Sequence, residues 1–428
     1  MTNQKKTFRN PWAWISTLYF AEGLPYVIVM SVSVIMYKRM GVSNTDIALY
    51  TSWLYLPYTI KPLWSPIVDI LRTKRFWIIS MQLLIGASLA GIALTIPAPN
   101  YFQYTMAFFW LMAFSSATHD IAADGFYMIG LGKHDQAFFI GIRSTFYRIA
   151  MITGQGLLII AAGYFEETTG GNVKLAWTII FSILAGLFVL FFIYHRFILP
   201  YPINDKSAVT QSGSSIFSEF IKTFVLFFKK KQILLFIGFL LVYRLGESQL
   251  VKLASPFLLD SREVGGLGLS TSEVGIVYGT IGMISLVAGG ILGGYLASRN
   301  GLKHWLWWMV AAINIPNSVY VILAFTQTTS FLLINICVAI EQFGYGFGFT
   351  AYMLYMIYIS DGEHKTAHFA ITTAFMALGM MIPGMASGWI QEMIGYQYFF
   401  VWAIVATIPA FIITRYIPLD PKFGRKND

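Results

Sequence analysis

Nine ionisable residues lie inside runs of sequence that are otherwise apolar: Glu22, Lys61, Asp120, Asp124, Arg148, Arg244, Glu247, Lys252 and Glu341, with His119 beside them. In hydrocarbon each costs several kcal/mol unless it is paired or hydrated, and charges kept at membrane depth usually serve a route for a solute or a proton. Five are acids and four are bases, so mutual pairing into a structural network is the competing reading for any one of them.

Spacing sharpens individual expectations. Asp120 and Asp124 are four apart and project from one helix face, where two close carboxylates raise each other's affinity for a proton. The alternative is that Arg148, on the next span, neutralises one of them permanently. Arg244 and Glu247, three apart, are placed to pair along one helix. Lys61 stands between Pro57 and Pro62 and has Glu22 as one possible acid partner. Asp135 and Arg143 lie near a span end, where snorkelling to the interface is the simpler account. His119 and Asp124 spell the His-x4-Asp pattern of some acyltransferases, but five helical residues turn the two side chains about 140° apart. A base and its orienting carboxylate must lie within hydrogen-bond reach, so a membrane acyltransferase is a minor alternative and no enzyme is expected. Cys337 is the single cysteine, which leaves neither a disulfide framework nor a thiolate metal site. Gly344, Gly346 and Gly348 begin like a dinucleotide loop, but no strand precedes them and the last glycine of the fingerprint is missing. No metal or cofactor is expected.

The elements that must carry these charges are membrane spans. Of 428 residues 57% are hydrophobic and 11% charged, with a mean hydropathy of +0.64, where soluble domains carry about 25% charged residues. Candidate spans fall near 12–36, 46–68, 76–96, 102–130, 137–164 and 175–197, then near 232–258, 271–297, 304–326, 331–359, 368–391 and 397–416. The predicted fold class is an all-α membrane protein of twelve spans in two six-helix halves: residues 1–200, a linker over 201–231 with a surface amphipathic segment from Ile216 to Lys231, and residues 232–428. The basic start at Lys5, Lys6 and Arg9 resembles a signal peptide, but the apolar run continues to about Met36 and reads as a retained span.

Charge placement orients the chain. The net charge of +9 would imply nucleic acid only if it gathered on one solvent-exposed face, whereas these residues punctuate the apolar runs. With the N-terminus in the cytoplasm, 20 Lys and Arg fall on that side and four on the other, so the positive-inside rule places both termini in the cytoplasm. The halves also echo each other. Ser43-Asn44-Thr45-Asp46 and Ser270-Thr271-Ser272-Glu273 both have capping-box spacing, and each follows a span bearing a Gly/Glu pair, Glu22-Gly23 and Gly246-Glu247, as parallel repeats of a transporter would. Gly289, Gly290, Gly293 and Gly294 make two overlapping GxxxG pairs, read as close helix packing. Pro25, Pro57, Pro62 and Pro66 free carbonyls that only a protein-lined or wet environment satisfies.

Five stretches carry a family resemblance: Ile60-Lys61-Pro62-Leu63-Trp64-Ser65-Pro66-Ile67-Val68-Asp69; Ser115-Ser116-Ala117-Thr118-His119-Asp120-Ile121-Ala122-Ala123-Asp124-Gly125-Phe126; Tyr147-Arg148; Tyr243-Arg244-Leu245-Gly246-Glu247; and Glu341 with the glycines after it. In order and content they resemble the AmpG-type muropeptide permeases of the major facilitator superfamily and the related acetyl-CoA transporters. The resemblance implies proton-driven uptake of anhydro-muropeptides, such as GlcNAc-anhydroMurNAc with or without its peptide, through a bacterial inner membrane for cell-wall recycling. It implies an anionic glycopeptide or sugar as the small-molecule partner and the proton gradient as driving force in place of a cofactor; the chain is expected to lie in the lipid bilayer as a monomer and to bind no nucleic acid. A related carrier for acetyl-CoA or another anionic metabolite is the main alternative.

Together with their depth, the matching positions assign Asp120, Asp124, Glu22, Glu341 and Glu247 to proton coupling, and Lys61, Arg148, Arg244, Tyr147 and Tyr243 to substrate binding. Asp69, Arg72 and Arg75 resemble the acidic and basic loop that latches the halves of such carriers, without its usual glycines. His119 stands where the family usually has Gln, Phe126 where it often has Trp, and Glu247 where the muropeptide permeases tend to have Asp.

Overall fold

Proline and glycine positions decide where the long apolar runs bend. The computed structural model describes residues 10–202, 205, 213–362 and 365–424, and among them every regular element is helical. Twelve rods follow in order: α1 Trp12–Arg39; α2 Asn44–Trp53, resumed as Leu56–Leu71; α3 Lys74–Thr95; α4 Tyr101–Gly130; α5 Lys133–Ile152, continued through Leu158–Thr168; and α6 Val173–Ile198. After a linker helix, Gly213–Phe228, come α7 Ile233–Val242, resumed as Leu245–Leu259, α8 Thr271–Asn300, α9 Leu302–Thr326 and α10 Phe331–Ser360. The stretch Lys365–Val405 turns at Gly395, whose φ of 73° is open to glycine at little cost. We label α11 the rod before that turn and α12 the rod after it, which ends at Tyr416.

Among the described residues nine helical stretches are long and apolar enough to cross a membrane, the last of them, Ala367–Tyr416, spanning α11 and α12. The two rods outside that set are α2 and α4, which carry Lys61, Asp120 and Asp124. They depart from the apolar criterion because α2 is interrupted at Leu54 and Tyr55 and α4 carries polar residues such as Ser115, Ser116, His119, Asp120 and Asp124 through its second half.

Local chemistry accounts for the interruptions. In α2 the second segment starts one residue before Pro57, in the first turn, where a missing N–H costs nothing. Pro25 lies in α1 just ahead of a π-helical turn, Ile28–Val32, and so frees a carbonyl inside the span. Both expected caps form. Ser43 Oγ accepts the Asp46 N–H at 3.0 Å, and Ser270 with Glu273 closes a full capping box.

By internal packing the chain forms two compact units. One consists of Met1–Val32, Ile60–Gly154 and Tyr164–Phe220, the other of Ser33–Thr59, Gln155–Gly163 and Ile221–Asp428. The boundary expected at the linker is therefore crossed twice: the far ends of α1 and α2 and a short piece of α5 belong to the second unit. In the first unit α3 packs on α4 and α6, and α1 packs on α5, around a core of Trp14, Leu18, Tyr19, Ile78 and Phe126. In the second unit α10 packs on α8 and α9, and α11 on α7 and the start of α2. Its core includes Phe239, Tyr243, Met309, Tyr352 and Tyr355.

Glycine lets the second unit's helices touch backbone to backbone. A Cβ on Gly289 would stand 2.1 Å from the Phe343 carbonyl oxygen, and one on Gly346 would stand 1.9 Å from that of Leu286. Gly289 and Gly293 on α8 and Gly346 on α10 are thus two sides of one helix crossing, while Gly344 and Gly348 face α9.

Candidate functional site

In the first unit the charges of α1, α2, α4 and α5 converge. Lys61 forms an ion pair with Asp120, and Arg143 forms one with Asp124 at 2.9 Å. The Arg143 guanidinium also lies over the rings of Tyr19 and Tyr127, at 4.6 and 5.0 Å from their centroids, and the Tyr19 hydroxyl donates to Asp124 at 3.2 Å. Glu22, 6% exposed, brings its carboxyl within hydrogen-bonding reach of the Asp120 carboxyl. This group is part open, with the Asp124 side chain 40% exposed.

Three expectations change here. Asp120 and Asp124 do share a face of α4, but each takes its own cation, and the carboxyls that meet are Glu22 and Asp120. The cation on Asp124 is Arg143, not Arg148. Arg143 therefore does not snorkel, because a carboxylate and two aromatic faces hold it inside the unit. Arg148 is exposed and forms no ion pair among the described residues. Tyr147 is half-buried, with its carbonyl and ring against Gly23 of α1. Sequence spacing missed Arg143 because its partners come from other helices.

His119 is packed and polar, as the helical geometry required. It is 1% exposed and heads a chain in which Gln82 Nε2 meets its Nε2 at 3.0 Å, Gln82 Oε1 meets His195 Nδ1 at 3.0 Å, and Thr17 Oγ1 meets His195 Nε2 at 3.0 Å. Gln82 and His195 drew no attention in the sequence because neither stands at a spacing that pairs it with a polar residue of its own helix; their partners come from other helices.

The proposed latch residues face the start of the linker. Arg75 donates to the Arg196 carbonyl and lies 3.9 Å over the Tyr201 ring, and the backbone N–H groups of Lys74 and Arg75 both donate to the Asp205 carboxylate. Arg72 lies over Phe76 at 5.6 Å. Asp69 is part of α2, and its side chain falls outside the described residues.

The second unit treats its charges differently. α7 breaks at Tyr243–Arg244, so Arg244 caps the resumed helix and Glu247 falls in that helix's first turn. A carboxylate is favoured there by the free amide groups. The two side chains form a two-pronged pair, Nε to Oε2 at 2.8 Å and Nη2 to Oε1 at 3.2 Å. Arg244 also donates to the Tyr345 hydroxyl at 2.6 Å and stacks over Phe349 at 4.9 Å. The expected pairing of Arg244 and Glu247 is therefore present and buried. Tyr243 is fully buried, and its hydroxyl donates to the Gly348 carbonyl at 2.9 Å.

Two charges of this unit have no opposite charge among the described residues. Glu341, 1% exposed, receives the Gln342 side-chain amide at 2.9 Å. Lys252, 2% exposed, donates to Thr51 Oγ1 at 3.0 Å and lies 5.0 Å from the Tyr55 ring centroid.

At one end of this unit a polar ring joins α1, α2, α11 and α12 to the end of α7. Lys38 pairs with Asp260 at 2.7 Å and donates to Asn44 at 2.8 Å. Asn44 donates to Gln391 at 2.6 Å and to the Tyr396 hydroxyl at 2.8 Å, and Tyr396 donates back to Asp260 at 2.6 Å. Outside the spans, Lys230 reaches the Ile359 and Asp361 carbonyls. Partial burial lowers its pKa, against the pull of the nearby Asp361 carboxylate.

Apolar helices of membrane-spanning length that bury charges at depth fit a membrane carrier. The Major Facilitator Superfamily model matches residues 15–366, and the chain belongs to that family. Its relatives include a Rickettsia conorii protein named as AmpG transporter 4, 27% identical over 418 residues that cover 94% of this chain and 95% of that one. They also include the anhydromuropeptide permease of Escherichia coli K12, 24% identical over 418 residues, covering 96% and 80% respectively. Among solved structures, a point mutant of the nucleoside transporter NupG superposes with a TM-score of 0.70 at 14% identity, covering 94% of this chain and 98% of that one. A D-xylose–proton symporter gives 0.68 at 12%, covering 95% and 98%. These two neighbours establish the fold alone.

Proposed function

We propose that this carrier imports anhydro-muropeptides into the cytoplasm with protons as the driving ion, and that Glu22 and Asp120 hold the coupling proton. The contact between the Glu22 and Asp120 carboxyls carries this reading. Two carboxylates repel at hydrogen-bond distance, so the contact requires one proton between them. Lys61 stabilises the charge on Asp120, which leaves the shared proton with Glu22. Asp124 is the second acid of the cluster, held by Arg143 and Tyr19. Glu341 and Glu247 complete the acid set in the other unit.

Among the proposed substrate ligands, Arg148 has no counter-charge among the described residues, whereas Lys61 and Arg244 must exchange a protein carboxylate for the solute's. Tyr147 keeps a part-open ring. The Tyr243 hydroxyl is committed to a backbone carbonyl, so that residue serves by packing behind Arg244. The class of solute rests on the named relatives. The excess of Lys and Arg in the loops of one side supports cytoplasmic termini in a bacterial inner membrane, and the carrier is proposed to act as a monomer.

Uptake of labelled anhydro-muropeptide into proteoliposomes under an imposed pH gradient tests the reading. Accumulation is expected to follow the gradient and to stop when the gradient is collapsed. Uptake indifferent to the gradient removes the coupling, and absence of uptake removes the solute.

A further inference from the structure

We propose that Lys252, with Thr51 and Ser52, is a carboxylate-binding subsite for the transported solute. The proposal rests on the transport reading above and adds a ligand to it.

The observations come from three helices of one unit. Lys252 on α7 is 2% exposed, and the long stem that would let it reach the membrane surface is instead laid along α11. A Cβ on Gly384 would stand 3.3 Å from Lys252 Cγ and 2.9 Å from Ser52 Oγ. Glycine at 384 thus leaves room for both side chains at the same point. The ammonium donates to Thr51 Oγ1 and has no carboxylate partner among the described residues. Thr51 Oγ1 is in turn engaged as donor to the Ile47 carbonyl at 2.6 Å. Next to it the buried Ser52 hydroxyl has no hydrogen-bond partner among the described residues.

A buried ammonium offers three donors, and here one hydroxyl and one aromatic face are its named neighbours. Buried charges are normally paired, because an unpaired one forfeits its hydration. An unpartnered donor hydroxyl beside an unpaired cation forms a site complementary to a carboxylate, which accepts from both.

The paired cations of the two units differ in this respect. Lys61, Arg143 and Arg244 each hold a protein carboxylate, so a solute acid has to displace one to bind there. At Lys252 it displaces none. In the arrangement described, the start of α2 covers the subsite, so loading requires α2 to part from α7 and α11 at this point.

Titration calorimetry on the full detergent-purified chain tests the assignment with two probes, 1,6-anhydro-N-acetylmuramic acid and its uncharged methyl ester. The wild type is expected to bind the acid at least about tenfold more tightly than the ester, the preference worth one good charge-assisted contact. Lys252→Met is expected to bring the two affinities together while leaving the ester's unchanged, and Lys252→Arg to keep part of the preference. An undiminished preference in Lys252→Met overturns the subsite. If the wild type binds neither sugar, the proposed cargo fails by itself, and thermal shifts with lactate then decide the subsite. A lactate-dependent rise in Tm that Lys252→Met abolishes supports it, and equal responses of the two proteins overturn it.

Discussion

The two units hold similar numbers of membrane-depth charges but dispose of them in different ways. In the first unit each cation described in the cluster rests on an acid, the acids outnumber the cations, and the surplus carboxyl of Glu22 turns to Asp120. In the second unit one pair, Arg244 with Glu247, is fully formed and buried, while Lys252 and Glu341 stand apart without counter-charges among the described residues. A surplus acid touching another acid is a place for a proton. A lone buried cation is a place for an anion. Under the function proposed above the two units therefore divide the chemistry of a coupled carrier, although a count of residues along the chain makes them look alike.

The largest expected effect would break the second unit's buried Arg–Glu pair. Arg244→Ala leaves Glu247 charged and unpaired at 0% side-chain exposure, and loss of one member of a buried pair costs about 3–5 kcal/mol. Thermal unfolding in detergent should show a large fall in Tm, and a Tm near wild type would mean that the pair is not integral to the unit.

Next in size, Asp120→Asn removes the acid that both Lys61 and Glu22 contact. Gradient-driven accumulation is expected to fall by about fivefold to a hundredfold, the usual range for a coupling free energy, while solute exchange at equal pH persists. Equal loss of both activities would show that Asp120 maintains the fold and does not handle the proton.

Lys252→Met tests the contrast from the other side. Removing a buried charge that has no counter-charge among the described residues should raise Tm, with a gain on the order of 1 kcal/mol after the loss of the Thr51 contact. The opposite signs of the Arg244 and Lys252 variants are what the comparison predicts, and a drop in Tm for Lys252→Met would erase it. The smallest effect belongs to Tyr243→Phe, which removes one buried hydrogen bond to Gly348, worth about 1 kcal/mol. Stability should fall slightly and solute affinity stay as it was. A selective loss of affinity would return Tyr243 to the binding set.

Helix positions were legible at the level of residue type. The first rod begins at Trp12 and the tenth runs Phe331–Ser360, both within three residues of the ends read from the apolar runs. This works because a lipid-facing segment must satisfy its own backbone and so must be a long apolar helix. The Arg244–Glu247 pair was legible for the same reason, since three residues along a helix fix which side chains meet. The serine caps at Ser43 and Ser270 followed from local spacing as well.

Partners across helices were not legible. Nothing in the spacing of Asp124 distinguishes Arg143 from Arg148, because both lie on the next span and the choice depends on how α5 is rotated against α4. Nor does sequence reveal that Glu22 meets Asp120, that Gln82 and His195 complete a chain with His119, or that Lys252 has no acid partner among the described residues. The sequence alone determined the solvent of this protein, the number and order of its helices, and the charges it would have to bury. Tertiary structure decided which of those charges cancel. Periodicity fixes a side chain's direction on its own helix, but pairing depends on the crossing of two helices, and that is set by glycine contacts and packing summed over both of them.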